Sequence, residues 1–76
     1  VRLRPDHPGA HNNLGLLLTE AGQPEEAVVL LKHAVRLEPG SKDHHNNLGL
    51  ALNDLGRFAE AEASYERALH LDQLYA

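Results

Sequence analysis

The sequence predicts an all-α fold built from tandem helix-turn-helix repeats, and three observations carry that expectation. First, the 76-residue chain matches itself when shifted by 34 residues: sixteen of the forty-two aligned pairs are identical. Second, apolar residues recur at helical spacing on either side of a glycine in each copy. Third, no window alternates apolar and polar residues with the period of two that a half-buried strand requires.

The repeat is dense in its middle. His11-Asn12-Asn13-Leu14-Gly15-Leu16 returns as His45-Asn46-Asn47-Leu48-Gly49-Leu50, and Val1-Arg2-Leu3 returns as Val35-Arg36-Leu37. Leu14, Leu18 and Ala21, with Leu48, Leu52 and Leu55, give each first helix an apolar face. Gly22 and Gly56 then stand where a helix end calls for a left-handed residue. Pro24 suits a first helical position, because its missing N–H has no partner there anyway. Ala27, Leu31, Ala34 and Leu37 form the stripe of a second helix, answered by Ala61, Tyr65, Ala68 and Leu71. Pro39-Gly40 ends that helix, and Ser41 is placed to cap the next. Each helix is expected to run ~14 residues, or ~21 Å. Gly15 and Gly49 fall mid-helix, where glycine costs about 1 kcal/mol relative to alanine. Their repetition predicts close approach of the paired helix, with Ala27, Ala34, Ala61 and Ala68 as the facing small surface.

Composition narrows the function. Seven basic residues against eleven acidic ones give a net charge of −4, against the basic footprint of nucleic-acid binding. There is no cysteine, hence no disulfide framework or thiolate metal site. No strictly apolar run in the sequence is long enough to span a membrane. Without an initiator Met, signal peptide or targeting tail, the chain reads as a piece of something longer, expected to be soluble and intracellular. No cofactor is expected, and no phosphate loop or serine-centred elbow points to an enzyme. Glu25-Glu26 and Glu60-Glu62 read as first-turn acids that favour the helix dipole. Six histidines invite a metal reading. But His44 and His45 point about 100° apart on a helix, and zinc wants three or four convergent ligands. His11 and His45 are expected to be half-buried, and His7, His33 and His70 exposed.

The pattern resembles the tetratricopeptide repeat, whose signature is W-x2-L-G-x2-Y, then A-x3-F, then P. Here it reads His11-x2-Leu14-Gly15-x2-Leu18, Ala27-x3-Leu31, Ala34 and Pro39. The second copy reads His45-x2-Leu48-Gly49-x2-Leu52, Ala61-x3-Tyr65 and Ala68, with Gln73 in place of proline. The resemblance implies a right-handed α-solenoid fragment: residues 1–7 end a preceding repeat, 8–41 form repeat one and 42–75 repeat two. It also implies a protein-interaction scaffold whose first helices line a concave groove.

That groove is expected to carry Gly9, Asn12, Asn13, Leu16, Thr19 and Glu20 from repeat one, and Asp43, Asn46, Asn47, Leu50, Asn53 and Asp54 from repeat two. An asparagine amide pairs with both the C=O and the N–H of an extended peptide. Asn13 and Asn47, immediately before Leu-Gly, match the asparagine ladder in the similar groove of O-linked N-acetylglucosamine transferase. The resemblance therefore implies a protein or peptide partner held through backbone, with Leu16 and Leu50 adding apolar contact. A carboxylate clamp of the kind that binds chaperone tails is disfavoured. Its positions hold Asn12, Leu16, Asn46 and Leu50, Lys42 is the lone nearby cation, and Asp43 and Asp54 repel. The alternatives are a spacer or self-assembly unit stacking on neighbouring repeats, or the regulatory arm of a larger enzyme such as a glycosyltransferase. Two repeats bury little apolar area, so exposed Leu69, Leu74 and Tyr75 predict self-association or end-to-end docking.

Overall fold

The computed structural model describes residues 7–74, all but the loops helical: α1 (Pro8–Glu20), α2 (Pro24–Leu37), α3 (Lys42–Asp54) and α4 (Phe58–Leu74). The Val1–Pro5 stretch and Tyr75 lie outside the described residues. The helices pair as two hairpins, α1 with α2 and α3 with α4, and the hairpins join where α3 meets both α2 and α1.

Each element begins and ends for a local reason. Pro24 opens α2 at the first helical position, as expected. The His7 imidazole caps α1, its Nδ1 accepting from the Ala10 N–H at 3.0 Å. Ser41 caps α3, although its hydroxyl lies 3.5 Å from the His44 N–H. Both first helices end in the same two-bond closure. Gly22 N–H donates to Thr19 C=O at 3.1 Å and Gln23 N–H to Leu18 C=O at 2.8 Å. Gly56 and Arg57 donate likewise to Asn53 and Leu52, each at 2.9 Å. The closure requires a left-handed residue, which Gly22 (φ 81°) and Gly56 (φ 78°) supply without strain. α4 runs on to Leu74, longer than the ~14 residues of an ideal unit. Gln73, unlike its mate Pro39, keeps the N–H and the conformational freedom that a helix needs.

The core lies between α2, α3 and the start of α4: Ala27, Val28, Leu31, Leu48, Ala51, Leu52 and Ala61. Leu31 and Leu52 are its largest fully buried side chains, each contributing about 1.5–3 kcal/mol by leaving water. The mid-helix glycines mark close approach, as expected, but the groups that fill the space differ. A Cβ on Gly15 would lie 2.6 Å from Leu31 Cγ, and one on Gly49 would lie 2.8 Å from Tyr65 Cε1. The large residue of the facing helix, rather than its alanines, presses on each glycine. The buried alanines let the helices come close enough for it to do so.

Ala21, Leu37 and Tyr65 depart from the expected apolar faces, all three being exposed, and His33 departs from its expected exposure. Leu37 is exposed, whereas its mate Leu71 is buried beside the Gly40–Asp43 segment. His33 is half-buried rather than exposed, its ring tilted against His11 at a centroid distance of 4.6 Å. His11 and His45 are both buried. His11 Nδ1 lies 2.7 Å from the His7 carbonyl and His45 Nε2 lies 2.9 Å from the Pro39 carbonyl. Each imidazole thus ties a helix to the loop in front of it.

Candidate functional site

The first helices of the two hairpins are in contact. Of the residues expected in the groove, Leu16 and Gly9 are half-buried, and Leu50, Asn13, Asn46, Glu20, Asp43, Asn53 and Asp54 are exposed. Asn46 and Asn53 border clefts against α4.

Thr19 departs from this arrangement. It is buried, and its hydroxyl donates to the Gly15 carbonyl at 2.9 Å. Thr19 follows Gly15 by four residues and His11 by eight, which places it on the buried stripe of α1 rather than on the open face. Its repeat mate Asn53 is exposed, because no described helix covers that end of the stack.

The asparagines are arranged differently from a simple in-register ladder of Asn13 and Asn47. Asn47 Nδ2 donates to Asn12 Oδ1 at 3.0 Å, joining α3 to α1. The bond links residues one repeat period plus one apart, so a tandem Asn-Asn pair is what it requires. The second asparagine of one repeat reaches back to the first asparagine of the previous one. Asn13 and Asn46, the outer members of the set, remain exposed. The duplicated pair therefore has a structural use, which the period and the adjacency together could have signalled.

A second tie between hairpins left no such signal. His44 is buried on α3, with Nε2 2.8 Å from Glu38 Oε1 at the end of α2, while its Nδ1 is buried without a partner. Its repeat mate is Ala10, so the periodicity is silent there. His44 and His45 diverge, one towards Glu38 and the other towards Pro39, and do not share a ligand. No cluster of three or more His, Asp or Glu suited to a metal occurs among the described residues.

A few of the surface charges are paired within the chain. Lys42 bonds Asp72 at 2.5 Å, bringing the start of α3 to the end of α4. That hydrogen bond holds the Lys42 ammonium above its usual range. Lys42, the cation expected near the groove, is thus paired within the chain. Arg57 makes a two-pronged contact with Glu60 and holds its carboxyl below the usual carboxylate range. No helix among the described residues is long and apolar enough to cross a membrane.

Paired antiparallel helices, a 34-residue period, a glycine wedged against the facing helix and first helices in contact define a helical-hairpin repeat protein. The model of the family described as Tetratricopeptide repeat matches residues 1–41 and, in an overlapping register, 13–76. The chain belongs to the tetratricopeptide repeat family, whose repeats serve protein–protein interaction and are typically non-catalytic. No curated protein matches the chain.

Proposed function

We propose that the α1–α3 face binds an extended peptide or a partner helix, gripping its backbone through asparagine amides. The observation that carries this reading is the Asn47–Asn12 hydrogen bond. It spends one donor and one acceptor, and the amide groups left over still offer both kinds of partner. Exposed Asn13 and Asn46 add further amides, Leu16 and Leu50 supply apolar contact, and Glu20, Asp43 and Asp54 bias the site towards neutral or basic ligands.

The test separates the outer asparagines from the bonded pair. A peptide selected from a random displayed library against this chain is the probe. Asn13→Ala with Asn46→Ala should weaken that peptide about tenfold, at the scale of one or two lost hydrogen bonds, with an unchanged melt. Affinity unaltered by the double substitution overturns the reading. The second reading, a unit whose role is stacking on neighbours, draws on exposed Leu17 and Val29 near one end and exposed Phe58 and Leu69 at the other. It predicts concentration-dependent association in sedimentation equilibrium.

A further inference from the structure

We propose that His7 is a proton-operated cap: protonation of its imidazole uncaps α1 and slackens the start of repeat one, while repeat two stays capped. The inference concerns the helix start itself and does not rest on the groove reading.

The direction of one hydrogen bond carries it. The Ala10 N–H donates to His7 Nδ1 at 3.0 Å. A backbone N–H can only donate, so that nitrogen carries a lone pair and the ring proton sits on Nε2. A second proton on the ring turns Nδ1 into a donor facing a donor, and the cap is lost. The other rings with a bond of known direction behave differently. His11 Nδ1 faces the His7 carbonyl, His45 Nε2 the Pro39 carbonyl and His44 Nε2 the Glu38 carboxylate. Each faces an oxygen that accepts, so each donates whether its ring is neutral or charged. Of these histidines, His7 alone needs the neutral form to keep its partner.

The helix also opposes a cation at that place. The start of α1 is the positive end of its dipole. α1 has no acid in its first turn, whereas α2 has Glu25 and Glu26, α3 has Asp43 and α4 has Glu60. The charged groups of the neighbouring elements do not make good the lack. On α2, the His33 ring rests against His11, Arg36 is itself a cation and Glu38 is 2.8 Å from His44. On α3, Lys42 is paired with Asp72, and Asp43 stands beside it. Among the described residues no carboxylate lies within ion-pair distance of His7. Its chain neighbour Asp6 lies outside the described residues.

Repeat two has a cap without the sensitivity. Ser41 stands one period after His7 and caps α3 through a hydroxyl. That oxygen keeps its lone pairs across the range in which histidine changes charge, about pH 5 to 8. Acid therefore separates two helices that occupy the same place in the repeat. The effect leads inward. The His7 carbonyl accepts both the backbone N–H and the ring of His11, and the next residue, Asn12, accepts the amide of Asn47 from α3.

His7→Ser, which gives repeat one the cap of repeat two, tests the proposal on the 76-residue chain. Thermal melts followed by circular dichroism are compared at pH 8 and pH 5. The lead of the variant's melting midpoint over the unaltered chain should grow by about 4–8 °C towards acid, the scale of one lost cap. Contributions of the other histidines are common to both chains and drop out. His7→Ala, uncapped at every pH, should melt below the unaltered chain at pH 8 and draw level with it at pH 5. The Ala10 amide, followed by hydrogen exchange in NMR spectra and referred to the free-peptide rate at each pH, should lose about fivefold in protection. The His44 amide, capped by Ser41, should keep its protection, and Asp6→Asn should leave these pH effects in place. A lead that does not change with pH overturns the proposal. So does protection of Ala10 that is indifferent to pH, an equal loss at His44, or a pH effect abolished by Asp6→Asn.

Discussion

Gly15 and Gly49 occupy the same place in the repeat, yet the structure predicts different consequences for the same substitution. Alanine at either position gains about 1 kcal/mol of helix propensity. At Gly15 the new methyl meets the γ-carbon of Leu31, which is fully buried with no empty side to move into. Overpacking of that kind costs about 1–3 kcal/mol, so Gly15→Ala should be destabilising on balance. At Gly49 the new methyl meets the ring of Tyr65, which is partly open to solvent and free to swing outward. Gly49→Ala should therefore be close to neutral. Thermal melts followed by circular dichroism check the pair, since a change of about 1 kcal/mol moves the midpoint by about 4–8 °C in a chain of this size. Equal effects at both positions would mean that Tyr65 is held as firmly as Leu31.

The helix ends govern the behaviour of single elements. Gly56 has open space around the position a Cβ would take, so Gly56→Ala is a measure of backbone strain alone. At φ 78° an L side chain costs about 1–2 kcal/mol. The expected result is a lower melting midpoint with no change in helix content at low temperature. At the start of α4, Glu60 lies below the usual carboxylate range because Arg57 donates hydrogen bonds to it. A group depressed in the folded state contributes stability above its unfolded value and loses it as pH falls through the folded one. Melts between pH 6 and pH 3 should therefore show an acid limb that Glu60→Gln makes shallower. The effect should be small, since both partners are exposed to screening solvent.

At the scale of the whole molecule, the two hairpins are held together by an apolar seam and two polar ties. Glu38→Ala removes the one partner that the structure gives to buried His44, whose other nitrogen is already unpaired. Leaving a buried polar group unsatisfied costs about 1–3 kcal/mol. Asn47→Ala removes a half-exposed tie and should cost less, about 0.5–1.5 kcal/mol. Denaturant titrations rank the two. The expected order reverses only if the Asn12–Asn47 bond, and not His44, anchors the seam. Each substitution should lower the midpoint of one shared transition, because α3 contributes to both hairpins' contacts and cannot loosen alone.

The sequence by itself determined the helices, their turns and their pairing. Those depend on local chemistry that a residue's neighbours reveal: Gly22 and Gly56 at positive φ, Pro24 at a helix start, and apolar residues three and four apart. The period determined that the hairpins stack, because the pattern of one repeat predicts the other. The exposure of Asn13, Asn46 and Leu50 agrees with the open face that the family resemblance implies for the first helices. Only the tertiary structure decided what breaks the repeat. Thr19 is buried and its mate Asn53 exposed because one has a helix laid over it. His44 is buried where Ala10 is its mate, and it found Glu38 across a turn that no spacing rule connects to it. Glu62 is exposed among the described residues, whereas its mate Val28 is buried in the seam. A periodic sequence describes an interior in which every unit has two neighbours. Between the two described hairpins, burial and pairing are set by which face the neighbouring hairpin covers.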